Sequence, residues 1–73
     1  MTASPLKHSR IDGGLTLFEL GRRTRINPGR LSMIERRLVK PRRDEMERLA
    51  TALQIESRDL FDKEQYTSAA TNS

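Results

Sequence analysis

The stretch Leu15-Thr16-Leu17-Phe18-Glu19-Leu20-Gly21-Arg22-Arg23-Thr24-Arg25-Ile26-Asn27-Pro28-Gly29-Arg30-Leu31-Ser32-Met33-Ile34-Glu35-Arg36 decides the fold. Thr16 is a good helix N-cap, and Glu19 three residues later completes a capping-box pattern. The helix it opens runs to about residue 24, with Leu17 or Phe18 and Leu20 turned inward. Asn27 is again a favoured N-cap, and Pro28 takes the first helical position, where its missing N–H costs nothing. Leu31 and Ile34 then lie three apart on one face, with Leu38 four further on. This second helix, roughly 28–37, must end before Pro41, because a residue preceding proline is pushed out of the helical region. Only Arg25-Ile26-Asn27 separate the two helices, so Ile26 is placed to tuck between them and fix their angle.

Outward from this centre the chain keeps its helical punctuation. Leu6 to Asp12 fits a short first helix, stopped by Gly13-Gly14, a pair suited to a C-terminal cap and turn. Asp44 and Glu47 form another capping-box pair. Behind them Met46, Leu49, Ala50 and Leu53 mark an apolar stripe, which predicts a helix from about Asp44 to Gln54. Ser57 is the expected cap of a last short helix whose Leu60 and Phe61 close the core. Residues 65–73 are small and polar, so a disordered tail is expected after a single domain over 1–64. No segment alternates apolar and polar residues in the manner of a strand. The fold class is therefore all-α, a compact bundle of four or five helices.

Composition narrows the function. Seventy-three residues make one small domain with a modest core. The chain has no cysteine, so neither disulfides nor a zinc–thiolate site can staple it. No apolar run approaches a membrane span and no signal-peptide core is visible, so a cytoplasmic location is expected. His8 is the only histidine and has no cysteine partner. Gly13-Gly14 and Gly29 are not followed by the Lys-Ser or Lys-Thr of a phosphate-cradling loop. Neither a metal nor a cofactor nor an enzymatic activity is expected. Charge is more telling. Arg22, Arg23, Arg25, Arg30, Arg36, Arg37, Lys40, Arg42 and Arg43 are nine cations in a stretch with one acid, Glu35, a local charge of +8. From Asp44 to Tyr66 seven acids face three cations. A basic middle beside an acidic C-terminal third suits a protein offering one face to a polyanion, although arginines on a solvated face give the same count.

Two short helices joined by so short a turn form the helix-turn-helix layout. The residues Leu15-Thr16-Leu17-Phe18-Glu19-Leu20-Gly21, then Ile26-Asn27-Pro28-Gly29-Arg30-Leu31-Ser32-Met33-Ile34-Glu35-Arg36, resemble the helix-turn-helix of the Xre family, which includes lambda-type repressors and Cro. Lys40-Pro41, Met46 to Leu53 and Ile55 to Phe61 are similar to that family's last two helices, and Arg10 stands where it commonly has a first-helix arginine. There are departures. Leu17 replaces the family's glutamine, Gly21 an alanine between the helices, Arg25 a turn glycine and Arg42 a small N-cap residue.

The resemblance implies that the second helix lies in the major groove of duplex DNA with its N-terminal residues at base edges. Pro28, Gly29, Arg30 and Met33 then face the bases, with Asn27 and Ser32 at phosphates. Arg30 is the first choice for direct readout, since a guanidinium pairs with guanine O6 and N7; the alternative is that it holds phosphate or is solvated. Met33 either meets a thymine methyl or belongs to the core. Arg36, Arg37, Lys40, Arg42 and Arg43 flank the helix and suit phosphates. Glu35 is expected to pair with Arg10 or Arg22, or else to lie exposed. The function implied is a dimeric transcriptional regulator, a repressor on an inverted-repeat operator. The alternatives are an antitoxin that binds a toxin protein and an adaptor that contacts a protein such as RNA polymerase. The dimer surface is sought at Leu60, Phe61 and Tyr66.

Overall fold

The computed structural model describes residues 4–61 of the chain. The helices are α1 (Pro5–Asp12), α2 (Leu17–Thr24), α3 (Pro28–Glu35), α4 (Arg43–Leu53) and α5 (Ser57–Leu60). No strand occurs among the described residues. The all-helical bundle expected from the sequence is thus the observed fold. The tail expected over 65–73, the domain limit at 64 and Tyr66 lie outside the described residues.

Each helix begins where a cap permits. Ser4 Oγ accepts from Lys7 N–H at 3.2 Å, and Pro5 fills the first position of α1. At α2 the capping box is complete, with Glu19 N–H donating to Thr16 Oγ1 and Thr16 N–H to Glu19 Oε1, both at 3.0 Å. Asn27 Oδ1 accepts from Gly29 N–H at 2.7 Å and opens α3 behind Pro28. The start of α4 differs from expectation. Arg42, not Asp44, is its N-cap, and the carboxylate that reaches back is Glu45, whose Oε1 accepts from Arg42 N–H at 2.8 Å. Glu45 is buried and Asp44 exposed, so the inner acid does the capping and the outer one faces solvent. Ser57 likewise becomes the first residue of α5, with Glu56 at the cap and no side-chain cap bond.

The first four helices end in one way. An N–H one or two residues past the cap bonds back five residues: Leu15 to Arg10 O, Ile26 to Gly21 O, Leu38 to Met33 O and Ile55 to Ala50 O. This Schellman-type closure needs a left-handed residue just before that N–H. The four are Gly14 (φ 71°), Arg25 (φ 61°), Arg37 (φ 60°) and Gln54 (φ 57°). Glycine meets the demand without strain only at the first.

Among the described residues nine apolar side chains form the core: Leu6, Leu20, Ile26, Leu31, Ile34, Met46, Leu49, Leu60 and Phe61. Leu15, Leu17, Val39, Ala50, Ala52, Leu53 and Ile55 pack around them. Helix α2 lies against α3 and α4, while α5 closes the bundle against α1 and α4. One of two alternatives and one expected core residue point outward. Of the Leu17/Phe18 alternatives, Leu17 packs and Phe18 is 64% exposed. Leu38 is 62% exposed, because α3 ends at Glu35 and the left-handed Arg37 turns the chain before Leu38 can continue the helical face.

The α2–α3 junction leaves no room for a side chain at Gly21. A methyl on Gly21 would stand 2.7 Å from Ile26 O and 3.1 Å from Pro28 Cγ. The first neighbour is backbone in the turn itself and cannot swing away. Gly21→Ala is therefore expected to lower stability by about 1–3 kcal/mol, the usual cost of overpacking, although alanine gains up to about 1 kcal/mol in helix propensity. Thermal denaturation checks this. An unchanged or higher Tm would show that the junction has slack.

Candidate nucleic-acid interface

Helix α3 is the first element after the tight turn, and its two faces differ. Leu31 and Ile34 are buried, whereas Gly29, Met33 and Arg36 are exposed. Gly29, Met33 and Arg36 are spaced by four and three residues, so they share one outward face. No acid lies on that face. Asn27 is exposed, with its Oδ1 turned inward on Gly29 and Arg30 N–H, which leaves its NH₂ group to point elsewhere. Pro28 and Ser32 are half-buried, the former packed by its ring near Gly21. Met33 is 37% exposed and belongs to the surface rather than the core.

Two ion pairs hold α3 from behind. At its C-terminal end Glu35, buried, receives Arg10 from α1: Nε to Oε2 at 2.6 Å and Nη2 to Oε1 at 3.2 Å. Arg10 Nη1 also donates to Leu15 O at 2.9 Å, tying α1 to the start of the α2 segment. Of the partners expected for Glu35, Arg10 is the observed one. At the N-terminal end Arg30 donates Nε to Glu45 Oε2 at 2.6 Å and Nη2 to Oε1 at 2.8 Å. The bidentate geometry makes both pairs directional as well as charged. Glu45 carries only 3% side-chain exposure against 35% for Arg30.

The hydrogen bonds from Arg30 hold the Glu45 carboxyl below its ordinary value; burial opposes this, and the Arg42 N–H adds to the lowering. In turn Glu45 raises the already high value of Arg30. At the surface, the Thr16 N–H and hydroxyl contacts hold the Glu19 carboxyl below its usual range. Glu45 also sits in the first turn of α4, where a negative charge is favoured by the helix dipole.

This second pair brings the start of α4 beside the start of α3, and with it the exposed Arg42 and Arg43. Arg36 caps α3, Arg37 and Lys40 follow it in the exposed loop, and Arg25 is exposed in the turn before it. All the basic residues expected around the second helix are thus exposed on or next to α3, except Arg30, which is half-buried. Arg48 is a residue whose role the sequence did not reveal. It donates Nη1 to Thr24 O at 2.8 Å, satisfying the end of α2, and pairs with Asp44 at 2.8 Å. The Arg30–Glu45 pair was equally hidden, since fifteen residues separate the partners and no local pattern links them.

Among the described residues no group of histidine, cysteine, aspartate and glutamate could hold a metal ion, and no helix is long and apolar enough to cross a membrane. Compared with known families, residues 3–63 match the model described as a helix-turn-helix domain. Neither a curated protein nor a solved structure matched the chain.

The Glu45 geometry fixes an acid limb of stability. A carboxyl with a lowered folded value contributes its full stabilisation above the unfolded value, near 4.5, and loses it as pH falls through the folded one. The Tm is expected to decline as pH drops below about 4.5. Glu45→Gln, less stable at neutral pH, should show a shallower decline. Parallel acid limbs for the two proteins would mean that Glu45 titrates as it does in the unfolded chain.

Proposed function

Because the chain belongs to the helix-turn-helix domain family, we propose that it is a sequence-specific duplex DNA-binding regulator whose reading element is α3. The observation that carries this is the acid-free outward face of Gly29, Met33 and Arg36, on a helix anchored behind by two ion pairs and flanked by exposed arginines. An α-helix fits the major groove, roughly 12 Å wide. With α3 in that groove, Gly29 and Pro28 allow close backbone approach. Met33 offers an apolar contact of the kind a thymine methyl takes, and Arg30 the hydrogen-bonding contact to a guanine edge. Asn27 and Ser32 reach phosphates at the groove wall. Arg36, Arg37, Lys40, Arg42 and Arg43 neutralise phosphates along the flanks.

Within the helix-turn-helix family, the Xre group is the reading that the motif from Leu15 to Arg36 supports. Leu17 stands where that group has glutamine, so α2 grips the backbone less firmly, and the basic flanks of α3 take a larger share. One such domain contacts about four or five base pairs, too few for a unique site. Specific binding therefore calls for a dimer on an inverted repeat with half-sites about one helical turn apart. A dimer so placed excludes other proteins from the duplex, which makes a cytoplasmic repressor the simplest role.

Operator selection from randomised duplexes tests this. An inverted repeat is expected to be enriched, and log-log binding against salt should have a slope of about −4 to −5 per domain if four to six phosphates are neutralised. Weak binding with no enriched sequence would contradict the regulator. Binding indifferent to salt would point to a protein adaptor, and co-purification with a small protein partner to an antitoxin.

A further inference from the structure

Arg30 and Glu45 meet in a side-on pair. Glu45 occupies the Nε–H and one hydrogen of Nη2. An arginine has five N–H donors in a planar fork, so Nη1 and the outer hydrogen of Nη2 are left over. Among the described residues this outer edge meets no acceptor within hydrogen-bonding range. The side chain is 35% exposed, so part of it is open to solvent. Glu45 is itself immobilised, because its backbone lies in α4 and its Oε1 also accepts from Arg42 N–H at 2.8 Å. The guanidinium is therefore fixed in plane and direction before any ligand arrives, and its rotamer freedom is lost on folding rather than on binding.

We propose that Glu45 is a positioning residue for recognition: it grips Arg30 side-on and so presents the outer guanidinium edge to a pair of acceptors on the DNA. The proposal rests on α3 being the reading element. Two parallel N–H groups suit either the O6/N7 edge of guanine or two oxygens of a phosphate, and the shared requirement is a paired acceptor at the start of α3. An acid close to a polyanion would by charge alone weaken binding to every duplex. Positioning has the opposite effect, and only on binding that uses Arg30.

The test compares the wild-type chain with Glu45→Gln, Arg30→Lys and Arg30→Ala. Fluorescence anisotropy is read on the duplex selected by the wild type and on an unrelated duplex, at a temperature where thermal melts show each protein folded. Glutamine keeps an oxygen for Arg42 N–H while losing the charge. Glu45→Gln is expected to weaken binding to the selected duplex by about fivefold to tenfold, at the lower end for a lost DNA contact. The unrelated duplex should be unchanged or more tightly bound if the acceptor is guanine, and weakened as well if it is phosphate, which every duplex carries. Arg30→Lys keeps its charge but not its fork, and should weaken the selected duplex similarly. It carries the test alone if Glu45→Gln does not fold. Repeating the selection with Arg30→Ala distinguishes the acceptors: one relaxed guanine position identifies a base, whereas an intact sequence with a salt slope shallower by about 1 identifies phosphate. The proposal is overturned if Glu45→Gln binds the selected duplex as tightly as the wild type or more so. It is also overturned if Arg30→Ala changes neither sequence nor slope, since the pair is then only a strut. If the wild-type chain itself enriches no duplex, the reading of α3 fails first, before any variant is compared.

Discussion

The orientation of α3 depends on two bidentate arginine–glutamate pairs, one at each end of an eight-residue helix. A helix this short has little stability of its own and takes its position from tertiary contacts. Leu31 and Ile34 bury its inner side, but two leucine-type anchors leave rotation about the axis loosely defined. Arg10 pulls on Glu35 from α1, and Glu45 pulls on Arg30 from α4, and together they fix which residues face out. Both carboxylates are nearly inaccessible, so their desolvation offsets much of the Coulomb gain, and the pairs act on geometry more than on net stability. Their arrangement is also electrically economical. The two buried acids, Glu35 and Glu45, lie behind α3, each gripped by an arginine, and the exposed Asp44 is paired with Arg42 and Arg48, which leaves the outward face of α3 without an acid.

Much of this was legible in the sequence because local rules govern it. Thr16 with Glu19, Asn27 with Pro28 and Gly13-Gly14 mark boundaries by backbone chemistry that operates within four residues, and the structure places these boundaries within a residue or two. The stripe of Met46 and Leu49 reads directly as a buried face. Leu38 and Phe18 were less legible. Helical spacing counts Leu38 as part of the face, but the reversal at Arg37 intervenes, and nothing about an arginine announces a left-handed residue. Likewise Asp44 and Glu47 have the spacing of a capping box, yet burial of Glu45 under Arg30 moves the cap to Arg42. Of the site, the basic character and the exposed positions of α3 were readable. The Arg30–Glu45 pair was not, because it joins residues distant in sequence that meet only once α3 and α4 both pack on α2.

Three of the left-handed helix ends fall on Arg25, Arg37 and Gln54 instead of glycine. Each such residue carries a backbone cost of about 1–2 kcal/mol, considerable in a domain whose net stability is only about 5–10 kcal/mol. Two of the three are arginines at the ends of α2 and α3, where a cation also favours the negative pole of the helix dipole. Glycine there would relax the chain and remove positive charge from the rim of α3. The observed choice trades local strain for charge at the surface where a polyanion would lie. Gly21 shows the reverse economy: helix propensity is given up so that Ile26 and Pro28 can close against α2.

Held by its two ion pairs, α3 is the surface we propose to meet duplex DNA. Amide chemical-shift mapping during titration with duplex DNA at low salt tests this most directly. Shifts are expected over Gly29 to Met33, through Arg36 to Arg43 and at the start of α2, with little change at the C-terminal half of α4 or at α5. Shifts confined to α4 and α5, with α3 unmoved, would contradict it.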